Sequence, residues 1–230
     1  MFLSLLVQYE YGVRPEVMTM TQHQCLIVPG LNNSGPRHWQ TRWEQVRPDC
    51  ARVELGAWSN PHRSHWITKL DLAVLEADRP VVLVGHSLGC MTIAWWAALA
   101  EPEHLARVRG ALLVAPPDVE GDGVHEILRR FAPAPRIALP FPAIVVASRD
   151  DPYATIERSA VFAARWGAAF VDAGHLGHIN ADSFLGDWPE GQRLLDSLLR
   201  FPAGGIDLTA EPFADTARNG DGRQAPSRLS

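Results

Sequence analysis

Four consecutive apolar residues, Val81 to Val84, run without a break into Gly85-His86-Ser87-Leu88-Gly89, and Leu88 to Ala100 then reads as a helix rich in alanine and tryptophan. An apolar run without polar alternation is buried on both faces, as a strand inside a parallel sheet is. Glycines on either side of the serine let the strand turn sharply into the helix, because neither puts a Cβ where the two elements meet. A chain with this junction is therefore expected to build a parallel sheet covered by helices.

The rest of the chain fits that scheme. Short apolar runs at Cys25–Val28, Ala111–Ala115, Ile144–Ala147 and Ala169–Val171 read as further buried strands, with Arg52–Leu55 a weaker one. Between them, Pro36–Val46, Ser64–Ala77, Ala154–Trp166 and Gln192–Arg200 read as helices. In the first, Trp39, Trp43 and Val46 recur at helical spacing; in the second, Trp66, Leu70, Ala73, Val74 and Ala77 make one apolar face. Strands alternating with helices predict a three-layer α/β fold with a mainly parallel sheet of about six strands. The proline-rich connection from Pro116 to Pro142 is expected to carry one short helix and to overhang the site as a minimal lid. Residues 21–201 form the expected core domain. Residues 1–20 read as an N-terminal extension, and residues 202–230, rich in Gly, Ala, Asp, Arg and Ser, as a disordered tail.

Composition excludes several function classes. The net charge is −5 and no basic run interleaves with aromatics, so neither nucleic acid nor an anionic membrane is an expected partner. No stretch is long and apolar enough to span a bilayer. Cys25, Cys50 and Cys90 are odd in number and widely spaced, which argues against a disulfide framework and for the cytoplasm.

A G-x-S-x-G turn between a buried strand and a helix is the nucleophile elbow of the α/β-hydrolase fold. It lifts Ser87 above the sheet at a helix N-terminus, where the Leu88 N–H is placed to stabilise an oxyanion. A second donor is expected from the turn after the first strand, Pro29-Gly30-Leu31-Asn32-Asn33-Ser34-Gly35, through the N–H of Leu31 or Asn32. Serine needs a base, and the base needs an orienting acid, in the chain order Ser, Asp or Glu, His. Two acids follow the Ile144–Ala147 strand, Asp150 and Asp151. The one before Pro152, Asp151, is preferred, with Asp150 capping the turn. Two histidines occupy the last glycine-rich loop, His175 and His178; His178, in Gly177-His178-Ile179-Asn180, is favoured and His175 stays open. Their i, i+3 spacing could suit a metal, but no further ligand is arranged nearby, so neither metal nor cofactor is expected. His86 is expected to pack beside the serine and, with Trp58, to contact substrate. Trp39, Trp66, Trp95 and Trp96 read mainly as packing residues, whereas Trp58, in a loop after a strand, is the expected substrate-pocket aromatic.

Several of these segments together resemble one family. Ile27-Val28-Pro29-Gly30, His38-Trp39 with Trp43-Glu44, the Gly85–Gly89 elbow, Asp150-Asp151-Pro152-Tyr153 and Gly177-His178-Ile179-Asn180 are similar to the small serine hydrolases grouped with retinoblastoma-binding protein nine and the bacterial YdeN proteins. The closing Gly186-Asp187-Trp188-Pro189-Glu190-Gly191 looks like the bacterial branch, and the likeness covers about residues 24–200. It implies an α/β-hydrolase with a triad of Ser87, Asp151 and His178, a slight lid, and cleavage of an ester or amide in a small acyl substrate. The second histidine, His175, departs from the family's usual single one. The rival expectation is a hydrolase scaffold used as a protein- or ligand-binding module.

Overall fold

The computed structural model describes residues 23–200, so the expected extension at 1–20 and the tail at 202–230 lie outside the described residues. Six strands form one sheet: β1 (Gln24–Val28), β2 (Cys50–Arg52), β3 (Val81–His86), β4 (Val108–Val114), β5 (Ala143–Ala147) and β6 (Ala169–Asp172). Their order is β2-β1-β3-β4-β5-β6 and every pairing is parallel. The fold is a three-layer α/β-hydrolase fold.

Alternation along the strands sorts the core into two layers. Leu26, Val28, Leu83, Leu113 and Val145 face one side, packed with residues of α2 (Arg63–Glu76), α3 (Leu88–Leu99) and α6 (Ile156–Trp166). Ile27, Val82, Val84, Leu112 and Val146 face the other, against α1 (Trp39–Val46) and α7 (Pro189–Arg200). Burial on both faces is why these strands read as unbroken apolar runs. Of the expected apolar face of α2, Trp66, Leu70, Val74 and the C-cap Ala77 are buried, and Ala73 is half-buried. Trp39, Trp66 and Trp96 are fully buried, and Cys25 and Cys90 are buried thiols.

Two local expectations are corrected. β2 is Cys50–Arg52 rather than Arg52–Leu55: the Val53 N–H still bonds Ile27 O at 2.9 Å, and the chain then turns, so Val53 and Leu55 are buried beside the sheet and not within it. Val46 ends α1 on its solvent side, 51% exposed. A short helix, α4 (Pro102–Leu105), begins with Pro102, whose fixed φ suits a first turn. The connection from Pro116 to Pro142 carries the one short helix expected there, α5 (Glu126–Arg129). No helix among the described residues is long and apolar enough to cross a membrane.

The crossover from β1 to β2 runs one way along the sheet and those after β3 run the other. The cleft this leaves at the carboxyl ends of β1 and β3 is where ligands enter such sheets. Ser87 follows β3 directly and the Pro29–Gly35 turn follows β1.

Candidate active site

Ser87 joins β3 to α3 with φ +53° and ψ −124°, a conformation rarely adopted by an L residue. Strain of this kind costs about 1–3 kcal/mol and persists where surrounding structure enforces it. The Ser87 N–H donates to Val114 O at 3.0 Å, pinning the turn to β4. Gly30 lies so near that an added Cβ would stand 2.8 Å from the Ser87 Cβ, so the turn after β1 packs on the serine itself.

Of the two acids and two histidines, the fold brings together Asp151 and His178. His178 Nδ1 lies 2.9 Å from each Asp151 carboxylate oxygen, with both side chains nearly buried. The neighbouring Asp150 does something else: its Oδ1 accepts the Ser148 hydroxyl at 2.7 Å and the Gly177 N–H at 2.8 Å. Those two donors, the hydroxyl foremost, hold the Asp150 carboxyl below its ordinary range. Asp150 thus ties the turn after β5 to the loop bearing His178. His175 is exposed, beside Asp150 and Asp172, and does not line the cavity at Ser87. The two loop histidines therefore diverge, and no group of three or more metal-ligand side chains occurs among the described residues.

The loop around His178 is held at four successive residues. Leu176 N–H donates to Ser148 Oγ at 2.9 Å, and Gly177 N–H to Asp150 as above. His178 O lies 2.9 Å from His86 Nε2, and Ile179 O accepts the Trp39 indole N–H at 2.8 Å. The Tyr153 ring covers the His178 imidazole, centroids 4.4 Å apart.

In the turn after β1, the Asn32 N–H is already used, bonding Trp58 O at 2.8 Å, and the Asn33 N–H bonds Gly30 O at 3.1 Å. The Leu31 N–H has no partner among the described residues. The Leu88 N–H opens α3, where the first amides lack a partner one turn back. Leu31 is therefore the better of the two donors expected in this turn. Trp58 is also placed differently from expectation. It does not line the cavity; its ring packs on Trp66 (5.7 Å between centroids) and its carbonyl fixes Asn32. Packing on the α2 tryptophan draws the indole away from the serine.

The cavity over Ser87 has a volume of about 370 Å³. Leu31, His38, His86 and His178 line it, with Leu128 of α5 and Tyr153 closing the opposite side. Reading the residues alone missed His38, Leu128 and Tyr153 as lining groups, although His38 and Tyr153 stand in the motifs that carry the family likeness. His38 is buried; its Nδ1 accepts the Gln40 N–H and caps α1. Burial first, then the Arg52 guanidinium and His178, push its pKa down to about 3, so it is neutral. Burial likewise drives His86 well below the ordinary histidine range.

The family described as Serine hydrolase matches residues 25–197. The chain belongs to that family. This serine hydrolase is 29% identical to a YdeN-like hydrolase from Pectobacterium atrosepticum, with a TM-score of 0.67 over 77% of this chain and 91% of the other. The ydeN gene product of B. subtilis is 20% identical, TM-score 0.58, over 77% and 98% of the two chains. Est1E from Butyrivibrio proteoclasticus, solved with ferulic acid bound, shares the fold at 13% identity and TM-score 0.55, over 77% and 90%. No protein among the curated ones matches the chain. The serine hydrolase is thus YdeN-like, and hydrolysis is its chemistry.

Proposed function

We propose that this hydrolase cleaves the acyl bond of a small ester, in the manner of a carboxylesterase, through a covalent acyl-enzyme on Ser87. His178 Nε2 takes the Ser87 proton as Oγ attacks the carbonyl carbon. The N–H groups of Leu88 and Leu31 hold the oxyanion, and removing one such donor typically raises the barrier by about 3 kcal/mol. His178 then protonates the leaving alcohol. Water, deprotonated by the same imidazole, attacks the acyl carbon, and collapse of the second tetrahedral intermediate returns Ser87 and releases the acid. Asp151 holds the tautomer with the proton on Nδ1 and stabilises the imidazolium.

The observation that carries this reading is the Asp151–His178 pair at 2.9 Å, with His178 lining the same cavity as the strained Ser87. The test is labelling with a fluorophosphonate probe together with turnover of p-nitrophenyl acetate. The native chain labels and turns over, and Ser87→Ala does neither. His178→Ala lowers kcat by about 10⁴-fold or more, whereas His175→Ala leaves it close to native. Equal weak labelling of the native chain and Ser87→Ala would instead identify a binding module on a hydrolase scaffold.

A further inference from the structure

His86 stands between Gly85 and Ser87, ends β3, and is 5% exposed. A carbonyl oxygen only accepts, so the 2.9 Å contact between His86 Nε2 and His178 O places a proton on Nε2. We propose that His86, beyond lining the cavity, is a positioning residue for His178: it fixes the main chain of the residue that serves as base. This rests on the assignment of His178 as base given above.

Three features support the role. First, the other anchors of the loop act on Leu176, Gly177 and Ile179, and among the described residues only His86 holds the carbonyl of His178 itself. Because Asp151 already fixes Nδ1, a tilt of the peptide plane swings the opposite edge of the ring, where Nε2 must meet Ser87. A misplacement of about 1 Å there costs on the order of 10²-fold in rate.

Second, the anchor comes from the residue directly before the serine. Base and nucleophile are thereby tied through one short path, β3 to imidazole to His178 O, and motion of the loop relative to the elbow is limited by a single hydrogen bond.

Third, the anchor is uncharged. The His86 and His178 rings lie 4.9 Å apart, and a cation at His86 would oppose the imidazolium that forms when His178 takes a proton. His38 packs edge-on against the other side of His86, centroids 4.7 Å apart, and is itself neutral with its proton on Nε2. The groups facing His178 are therefore the Asp151 carboxylate, the neutral His86 and His38 rings, and Tyr153. An arginine could donate to the same carbonyl, but only by adding the charge this arrangement leaves out.

The experiment compares His86→Gln, His86→Asn and His86→Leu in the full chain. A glutamine amide reaches the position of Nε2; an asparagine amide is one bond short; leucine has no donor. The readouts are kcat and KM on p-nitrophenyl acetate and the low-field NMR signal of the His178 Nδ1 proton. His86→Leu and His86→Asn are expected to lose about tenfold or more in kcat, with KM close to native and the Nδ1 signal shifted or broadened. His86→Gln is expected to recover most of both. Should the leucine variant fail to fold, the difference between Gln and Asn decides. Equal loss in Gln and Asn, native kcat in Asn, or a change in KM alone overturns the proposal. Failure of the underlying base assignment is seen separately, as near-native turnover in His178→Ala.

Discussion

Gly89, the second residue of α3, lies so close to Val28 that a Cβ built on it would fall 2.0 Å from the Val28 carbonyl oxygen. The obstacle is backbone, at the end of β1, and cannot rotate aside. The helix that Ser87 caps is therefore set against the strand that leads into the Pro29–Gly35 turn, with no room for a methyl group.

Gly89→Ala is expected to destabilise the domain by roughly 1–3 kcal/mol, the range for overpacking, or about 2–10 °C in Tm. Thermal unfolding followed by circular dichroism measures this. Turnover should fall further than stability alone explains, because the displaced element is the one that positions Ser87 against Leu31.

The two adjacent carboxylates separate on mutation. Asp151→Asn should lower kcat by about 10⁴-fold, since an amide at this place stabilises the wrong imidazole tautomer, while Tm stays near native. Asp150→Ala removes the acceptor for Ser148 and Gly177 and should cost about tenfold through a loosened loop. Steady-state kinetics on p-nitrophenyl acetate distinguishes the two, and equal losses would contradict the assignment of roles.

Stability should fall on mild acidification because of His38. Its pKa is about 3 in the folded chain against 6.5 for a free histidine. Between those values the unfolded chain binds a proton that the folded chain refuses, so stability rises with pH across that window and is fully present above it. At pH 5 the loss from this one group is about 2 kcal/mol relative to pH 7.5. His38→Asn keeps an oxygen to cap α1 and removes the titration. The drop in Tm between pH 7.5 and pH 5 should be smaller in the variant than in the native chain, though not zero, because His86 is displaced in the same direction.

How far these features were legible in the sequence follows from what each depends on. β3 and β5 were plain because a strand buried on both faces shows its whole length as apolar residues. β2 was misplaced because it is a three-residue edge strand of half-exposed and exposed residues, while the more apolar Val53 and Leu55 beyond it are buried by a turn. The elbow was legible because its geometry demands glycines. Local sequence does not decide between Asp150 and Asp151 beyond the Pro152 that follows the second, since both carboxylates stand in one turn and only the fold shows which meets His178. Trp58 was expected at the cavity because a loop after a strand suggested it; the deciding contact, with Trp66 eight residues on, is tertiary. His38 caps a helix far along the chain from Ser87, and nothing local marks it as a neighbour of the site.

Leu128 and His125, which wall the cavity, come from α5 and its cap within the connection from Pro116 to Pro142, a stretch that contributes none of Ser87, Asp151 and His178. These two wall residues and the proposed reacting groups are thus encoded in separate lengths of chain. A library of exchanges confined to residues 121–131 is therefore expected to change which acyl groups the cavity admits while leaving Ser87, Asp151 and His178 in place.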